Sequence, residues 1–119
     1  MAGAAAFVQK EFKDMMEGIK KGDFSKMEKN HHILAGFKGC FTDDMYRNVD
    51  AARRSTGGAG FTAASGFKEL FGNASPMPTY EGDNTVMFGQ ASRYLVKLVA
   101  KANKKGSLEF PFNYLNEMQ

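Results

Sequence analysis

The stretch Tyr80-Glu81-Gly82-Asp83-Asn84-Thr85 holds the residues of this sequence best suited to chemistry. It joins a loop containing Pro76 and Pro78 to the start of an apolar helical period. A carboxylate at such a junction, flanked by Met77, Pro78 and Tyr80, feels two opposed influences. Desolvation raises its pKa, while the positive end of a helix lowers it. A base so placed can face a bound substrate. The same acid can equally be a plain cap, because side-chain oxygens in a first turn accept from unpaired backbone N–H groups.

Three other clusters invite a chemical reading. Thr56-Gly57-Gly58-Ala59-Gly60-Phe61 follows a helical period rather than sitting between a strand and a helix, so it is neither a Rossmann nor a P-loop fingerprint. It stops a helix in a tight turn, or it offers a backbone bare enough for a cofactor phosphate or ring to approach. His31-His32 with Cys40 lacks the three or four converging ligands a metal needs, so packing or surface histidines are expected and no metal site is assigned. Asp43-Asp44 and Arg53-Arg54 read as solvated pairs.

The elements that must position these residues are helical. Val8, Phe12, Met15, Met16 and Ile19 form one stripe, predicting a helix over 4–21 that ends at Gly22-Asp23. Ser25-Lys26-Met27-Glu28 reads as a capping box, opening a second helix over 25–56. Its stripe is Ile33, Leu34, Phe37, Phe41, Met45, Val49 and Ala52. Gly36 and Gly39 inside it each cost about 1 kcal/mol relative to Ala, which makes sense where another helix packs closely. Thr42-Asp43-Asp44 offers an alternative break. Residues 61–80 show no sustained period and suggest an ordered, functional loop with at most one short helix near 65–71. The last helix is expected over 84–104, with Lys97, Lys101, Lys104 and Lys105 suiting the C-terminal end of its dipole. Pro111 cannot continue it, so 1–105 reads as the helical segment and 106–119 as an extended tail. The expected core is Phe12, Met16, Phe37, Phe41, Val49, Met87, Tyr94 and Leu98. Apolar faces this wide exceed what three helices bury among themselves, and imply a bundle that needs a neighbour.

Composition sets the outer limits. The chain has 119 residues with 16 Lys plus Arg and 13 Asp plus Glu, a net charge of +3 spread over both halves. That pattern does not suggest a nucleic-acid or membrane-surface protein. One cysteine excludes an internal disulfide framework. No apolar run reaches the length of a membrane span, and the opening Met1–Val8 is too short for a secretory signal and runs into acidic residues. The expectation is an intracellular location. Both ends fall near element boundaries, which suggests a short natural gene product.

The run from Asn73 through Pro76, Pro78 and Glu81-Gly82-Asp83-Asn84-Thr85-Val86-Met87, then Gln90-Ala91-Ser92-Arg93-Tyr94-Leu95, resembles the acyl-CoA oxidases. So do Gly57-Gly58-Ala59-Gly60-Phe61 with Ser65-Gly66, and His31 with Ile33-Leu34-Ala35-Gly36-Phe37-Lys38 upstream. The glycine block is shared with acyl-CoA dehydrogenases; the glutamate block is the more specific.

The resemblance implies three long helices of an incomplete, all-α four-helix bundle, completed by a partner chain. It also implies a flavoenzyme chemistry of fatty-acid β-oxidation, using FAD to remove hydrogen across the α and β carbons of an acyl-CoA, with oxygen as electron acceptor. By that likeness Glu81 corresponds to the catalytic base. Gly57, Gly58 and Gly60 correspond to the turn along the cofactor. Thr85 matches a position near the FAD pyrophosphate, where free N–H groups favour anions. Two departures stand out. Ala59 and Phe61 replace the family's His and Tyr, removing two polar contacts. Family members are also several times longer, and their flavin-holding β-domain is not among these residues. Two functions follow: a module completing the site of a flavoprotein assembled with other chains, or a non-catalytic accessory subunit of a large assembly. The first implies a peroxisomal location, the second allows a mitochondrial one.

Overall fold

The computed structural model describes residues 2–108 and 111–118, and among them every regular element is helical. Helix α1 spans Ala2–Lys20, α2 Met27–Ser55, α3 Phe67–Ala74 and α4 Asn84–Lys105. Short 3-10 helices occupy Gly57–Phe61, Ala63–Ser65 and Asn113–Met118. The all-α class with three long helices agrees with the sequence reading. No helix among the described residues is long and apolar enough to cross a membrane.

Each end has a local cause. After α1, Gly22 takes a left-handed backbone (φ 78°). Lys21 and Asp23 N–H both donate to the Gly18 carbonyl, at 2.8 and 2.9 Å, satisfying a carbonyl the helix leaves unpaired. The predicted capping box does not form. Instead the Asp23 carboxylate accepts from the Ser25 N–H at 2.9 Å, which holds Asp23 below its ordinary pKa, and α2 opens at Met27. Helix α2 runs unbroken through Thr42, whose hydroxyl donates back to the Lys38 carbonyl at 2.7 Å rather than capping a new helix. Gly66, left-handed at φ 72°, precedes α3.

The segment after α4 departs from the extended tail. The Leu108 N–H donates to Asn116 Oδ1 at 2.8 Å, and Asn116 Nδ2 donates to the Leu108 carbonyl at 3.0 Å. One side-chain amide thus satisfies both backbone groups of Leu108, and Phe112 and Leu115 are buried. Phe110 lies outside the described residues, as do the side chains of Lys104 and Lys105.

The chain divides into two compact units, 1–33 with 89–119, and 34–88. In the first, Lys29 pairs with Glu11 at 2.7 Å, and Asn30, Ile33, Ala91, Ala102, Phe112 and Leu115 are buried. In the second, Ala35, Gly39, Gly60, Ala74 and Asn84 are buried. The expected core needs correction. Phe12, Met16 and Phe41 are 45%, 40% and 42% exposed, and Phe37, Val49, Met87, Tyr94 and Leu98 are half-buried. The apolar faces are wider than these helices cover, so small residues, not large ones, make the tightest contacts.

Candidate functional site

Within the unit 34–88, the chain between α3 and α4 folds into a turn that carries Glu81. Glu81 has φ 57° and Gly82 φ 105°, two left-handed residues in succession. Among the described residues Glu81 is the one non-glycine with positive φ. That conformation costs a side-chain-bearing residue about 1–2 kcal/mol, and it persists only where the surroundings hold it.

The holding groups come from α2. Lys38 Nζ donates to the Gly82 carbonyl at 2.6 Å, to Asn84 Oδ1 at 2.8 Å and to the Pro78 carbonyl at 3.3 Å. An ammonium has three protons, and each has an acceptor on the turn. The Asn84 N–H donates to the Pro78 carbonyl at 2.9 Å and closes the loop. Asn84 Nδ2 donates to the Gly39 carbonyl at 3.1 Å and to Thr42 Oγ1 at 3.0 Å. The single Thr42 proton is engaged with the Lys38 carbonyl, so its oxygen accepts from Asn84. Gly39 is required here. A Cβ at that position would stand 2.6 Å from Cε1 of Phe88 on α4, the close packing its glycine suggests. Gly36 has no such neighbour.

The capping work at α4 is done by Asp83. Its Oδ1 accepts from the Thr85 N–H at 2.8 Å and its carbonyl from the Met87 N–H at 2.9 Å. The carboxylate of Glu81 is exposed. At Thr85 the backbone N–H is thus occupied by Asp83, and the residue is exposed.

The glycine turn divides by role. Gly57 has φ 60°, and neither Gly57 nor Gly58 would bring a Cβ within 4 Å of anything, so both present bare backbone to open space. Backbone bared in this way leaves room for another group to approach closely. Gly60 differs. It is buried, and a Cβ there would collide with the Arg53 carbonyl and Thr56 Oγ1, so its glycine serves the fold of the turn.

Arg53 is not a solvated charge, though Arg54 is, at 16% and 74% side-chain exposure. The Arg53 guanidinium bonds Asp50 at 2.6 Å and lies over the rings of Phe61 and Phe71, 4.5 and 5.5 Å from their centroids. That bond to Arg53 holds the Asp50 carboxyl below its ordinary pKa. Arg53, Phe61 and Phe71 line a cleft of about 300 Å³ together with Gly60, Phe67 and Lys68. Arg53 Nη1 is buried without a partner among the described residues.

In the other unit, His32 packs rather than ligates. Its Nδ1 lies 2.9 Å from the Ala91 carbonyl, which can only accept, so Nδ1 carries the proton. The ring stacks on Tyr94 at 4.9 Å and tilts against Phe112 at 5.5 Å. Burial pushes the His32 pKa down and that of Tyr94 up. His31 bonds Gln90 at 2.6 Å. Cys40 is free and exposed, and no group of three or more metal-ligating side chains occurs among the described residues.

Sequence reasoning missed Lys38, Thr42 and the side chain of Asn84 as parts of the Glu81 turn. One signal was present: Lys38 and Thr42 stand one helical turn apart on either side of a glycine, a polar face inside an otherwise apolar stripe.

Known proteins resemble this chain in sequence and in helical fold. The family model described as acyl-CoA oxidase, C-alpha1 domain, matches residues 1–96. Human peroxisomal acyl-coenzyme A oxidase 1 is 30% identical over 113 residues, covering 95% of this chain and 17% of that protein. The acyl-coenzyme A oxidase acox-1.1 of Caenorhabditis elegans is 36% identical over 110 residues, covering 88% and 16%. The crystal structure of acyl-CoA oxidase-1 from Caenorhabditis elegans complexed with FAD and ATP superposes with a TM-score of 0.85 at 34% identity, over 95% of this chain and 18% of that one. Arabidopsis thaliana acyl-CoA oxidase 1 gives 0.83 at 29%, over 96% and 18%. The chain thus spans about a sixth of the length of the curated relatives it matches (17% of the human one). On the match over residues 1–96 and the shared helical fold, the chain belongs to the acyl-CoA oxidase family, in its C-alpha1 domain.

Proposed function

We propose that this chain is the helical module that supplies the general base, and part of the flavin-binding surface, to a peroxisomal oxidase acting on acyl-CoA. Glu81 takes the α-proton of the acyl group. Gly57 and Gly58 lie bare along the cofactor, Gly60 shapes their turn, and the Thr85 side chain faces the pyrophosphate. When bound, FAD supplies acceptance of the β-hydride and onward transfer of electrons to oxygen. The observation that carries the reading is the division of labour at α4. Asp83 caps the helix, and Glu81 is left exposed on a turn whose costly backbone is held by Lys38 and Asn84. Strain maintained in this way is a mark of functional positions. The cofactor in the related Caenorhabditis elegans structure and the peroxisomal names of the relatives support FAD and the organelle.

The module does not act alone. Phe12, Met16, Phe24, Phe41, Phe61 and Val96 stand 40–75% exposed, an apolar area expected to be covered by other protein. The test is Glu81→Gln in the oxidase assembly containing this chain. Turnover should fall roughly 100-fold or more, the worth of a general base, with flavin and acyl-CoA binding retained. Undiminished turnover refutes the base assignment and leaves the chain a purely structural place.

A further inference from the structure

We propose that Lys38 is the positioning residue of the Glu81 turn: its ammonium, through three simultaneous donations, holds the left-handed backbone from which the carboxylate projects. The inference rests on the reading of Glu81 as the base, and extends it to a residue on another helix.

The argument is one of proton count and geometry. The three acceptors of Lys38 are not scattered. Pro78 O precedes Glu81, Gly82 O follows it, and Asn84 Oδ1 sits at the head of α4. They bracket Glu81 on both sides in the chain. Two consecutive residues at φ 57° and 105° turn the Gly82 carbonyl to where one cation can meet all three. Removing the cation leaves the Gly82 carbonyl and Asn84 Oδ1 without the donor that joins them, Pro78 O keeping only the Asn84 N–H, and the backbone is free to relax from its strained form. A compact ammonium with three rotatable donors suits this task. The planar fork of an arginine cannot point at three acceptors converging from different directions. The other end of the arrangement is fixed by Asn84, whose amide reaches the Gly39 carbonyl and Thr42 on the same face of α2 as Lys38. Helix α2 is thereby a rigid support, and the turn takes its coordinates from it. The chemistry of a proton transfer is sensitive to such support, since displacement of a base by about 1 Å can lower a rate by roughly 100-fold.

The experiment compares Lys38→Met with Glu81→Gln in the oxidase assembly. Methionine keeps an unbranched, flexible side chain and deletes the donors. The expected result for K38M is a fall in kcat of roughly 10- to 100-fold, with KM for acyl-CoA and flavin content unchanged. Amide exchange should quicken at Asn84 and Thr85, whose N–H groups are bonded within the turn, but not in α1. Lys38→Arg should recover only a small part of kcat. Unchanged kcat together with unchanged exchange in K38M overturns the proposal, as does full recovery by K38R. If K38M does not assemble, Thr42→Val decides. It removes the hydroxyl oxygen that accepts from Asn84, and should quicken exchange at the same amides; no change there overturns the proposal. The two ideas fail separately. An active Glu81→Gln sinks the base, while the exchange pattern of K38M still reports on the turn.

Discussion

Replacing Asn84 by alanine should be among the most damaging single changes in this chain. The residue is 8% exposed, and its side chain makes three hydrogen bonds with clear proton assignments. Its Oδ1 accepts from the Lys38 ammonium at 2.8 Å, and its Nδ2 donates to the Gly39 carbonyl at 3.1 Å and to Thr42 Oγ1 at 3.0 Å. A bond to a charged donor contributes about 1.5–3 kcal/mol and each neutral one about 1 kcal/mol. The three share partners, so they do not simply add, and a loss of about 2–4 kcal/mol is expected. Alanine also leaves Lys38 with two acceptors for three protons in a half-buried place. Asn84→Asp separates the contributions. It keeps the acceptor for Lys38 and loses both donations, so about half the loss should return relative to alanine. Urea titration reads this as a shift in midpoint at constant slope, with wild type most stable, N84D next and N84A least. A loss below about 1 kcal/mol for N84A would refute the claim that this amide ties the turn to α2. So would N84D being as damaging as N84A, since the bond to Lys38 would then count for nothing.

The glycine turn should separate two kinds of loss. Gly60→Ala places a methyl against the Arg53 carbonyl and Thr56, and should destabilise the fold by about 1–3 kcal/mol, read by thermal melting. A Cβ at Gly58 meets nothing in the chain itself, so Gly58→Ala should leave melting nearly unchanged while lowering the flavin content of the assembly, read by absorbance. Acidification should weaken the fold through His32. Burial lowers its folded pKa beneath the ordinary value, opposed by the bond to Ala91 and aided by the charge of His31. The unfolded chain therefore binds the proton first, and the stability present above about pH 6.5 declines as pH falls from there toward the folded pKa. His32→Gln should flatten that decline in denaturation curves taken at about pH 7.5 and 5.5; an equal decline in the variant would show that another group is responsible.

Helix identity and extent were legible in the sequence because they rest on local physics. The stripe Val8, Phe12, Met15, Met16, Ile19 and the stop at Gly22 require knowledge of only a few neighbouring residues. The start of α4 at Asn84 was likewise written in Asp83 and the apolar period that follows it. The glutamate block marked Glu81, and the double glycine marked an open turn. What the sequence could not supply was which acid caps and which stands free. Glu81 and Asp83 are both carboxylates near one helix start, and only their backbone geometry tells them apart. Nor could it show that Lys38 serves a loop 40 to 46 residues further along, because hydrogen-bond partners at that separation are chosen by packing. Arg53 and Arg54 look alike in the chain, yet one lies against Phe61 and Phe71 and the other in solvent. Gly57, Gly58 and Gly60 share one residue type for different reasons, a left-handed φ, open space, and a collision avoided. Period and propensity act over one or two turns of chain and specify the elements. The protons, charges and missing methyl groups that make a site are assigned only when distant segments meet.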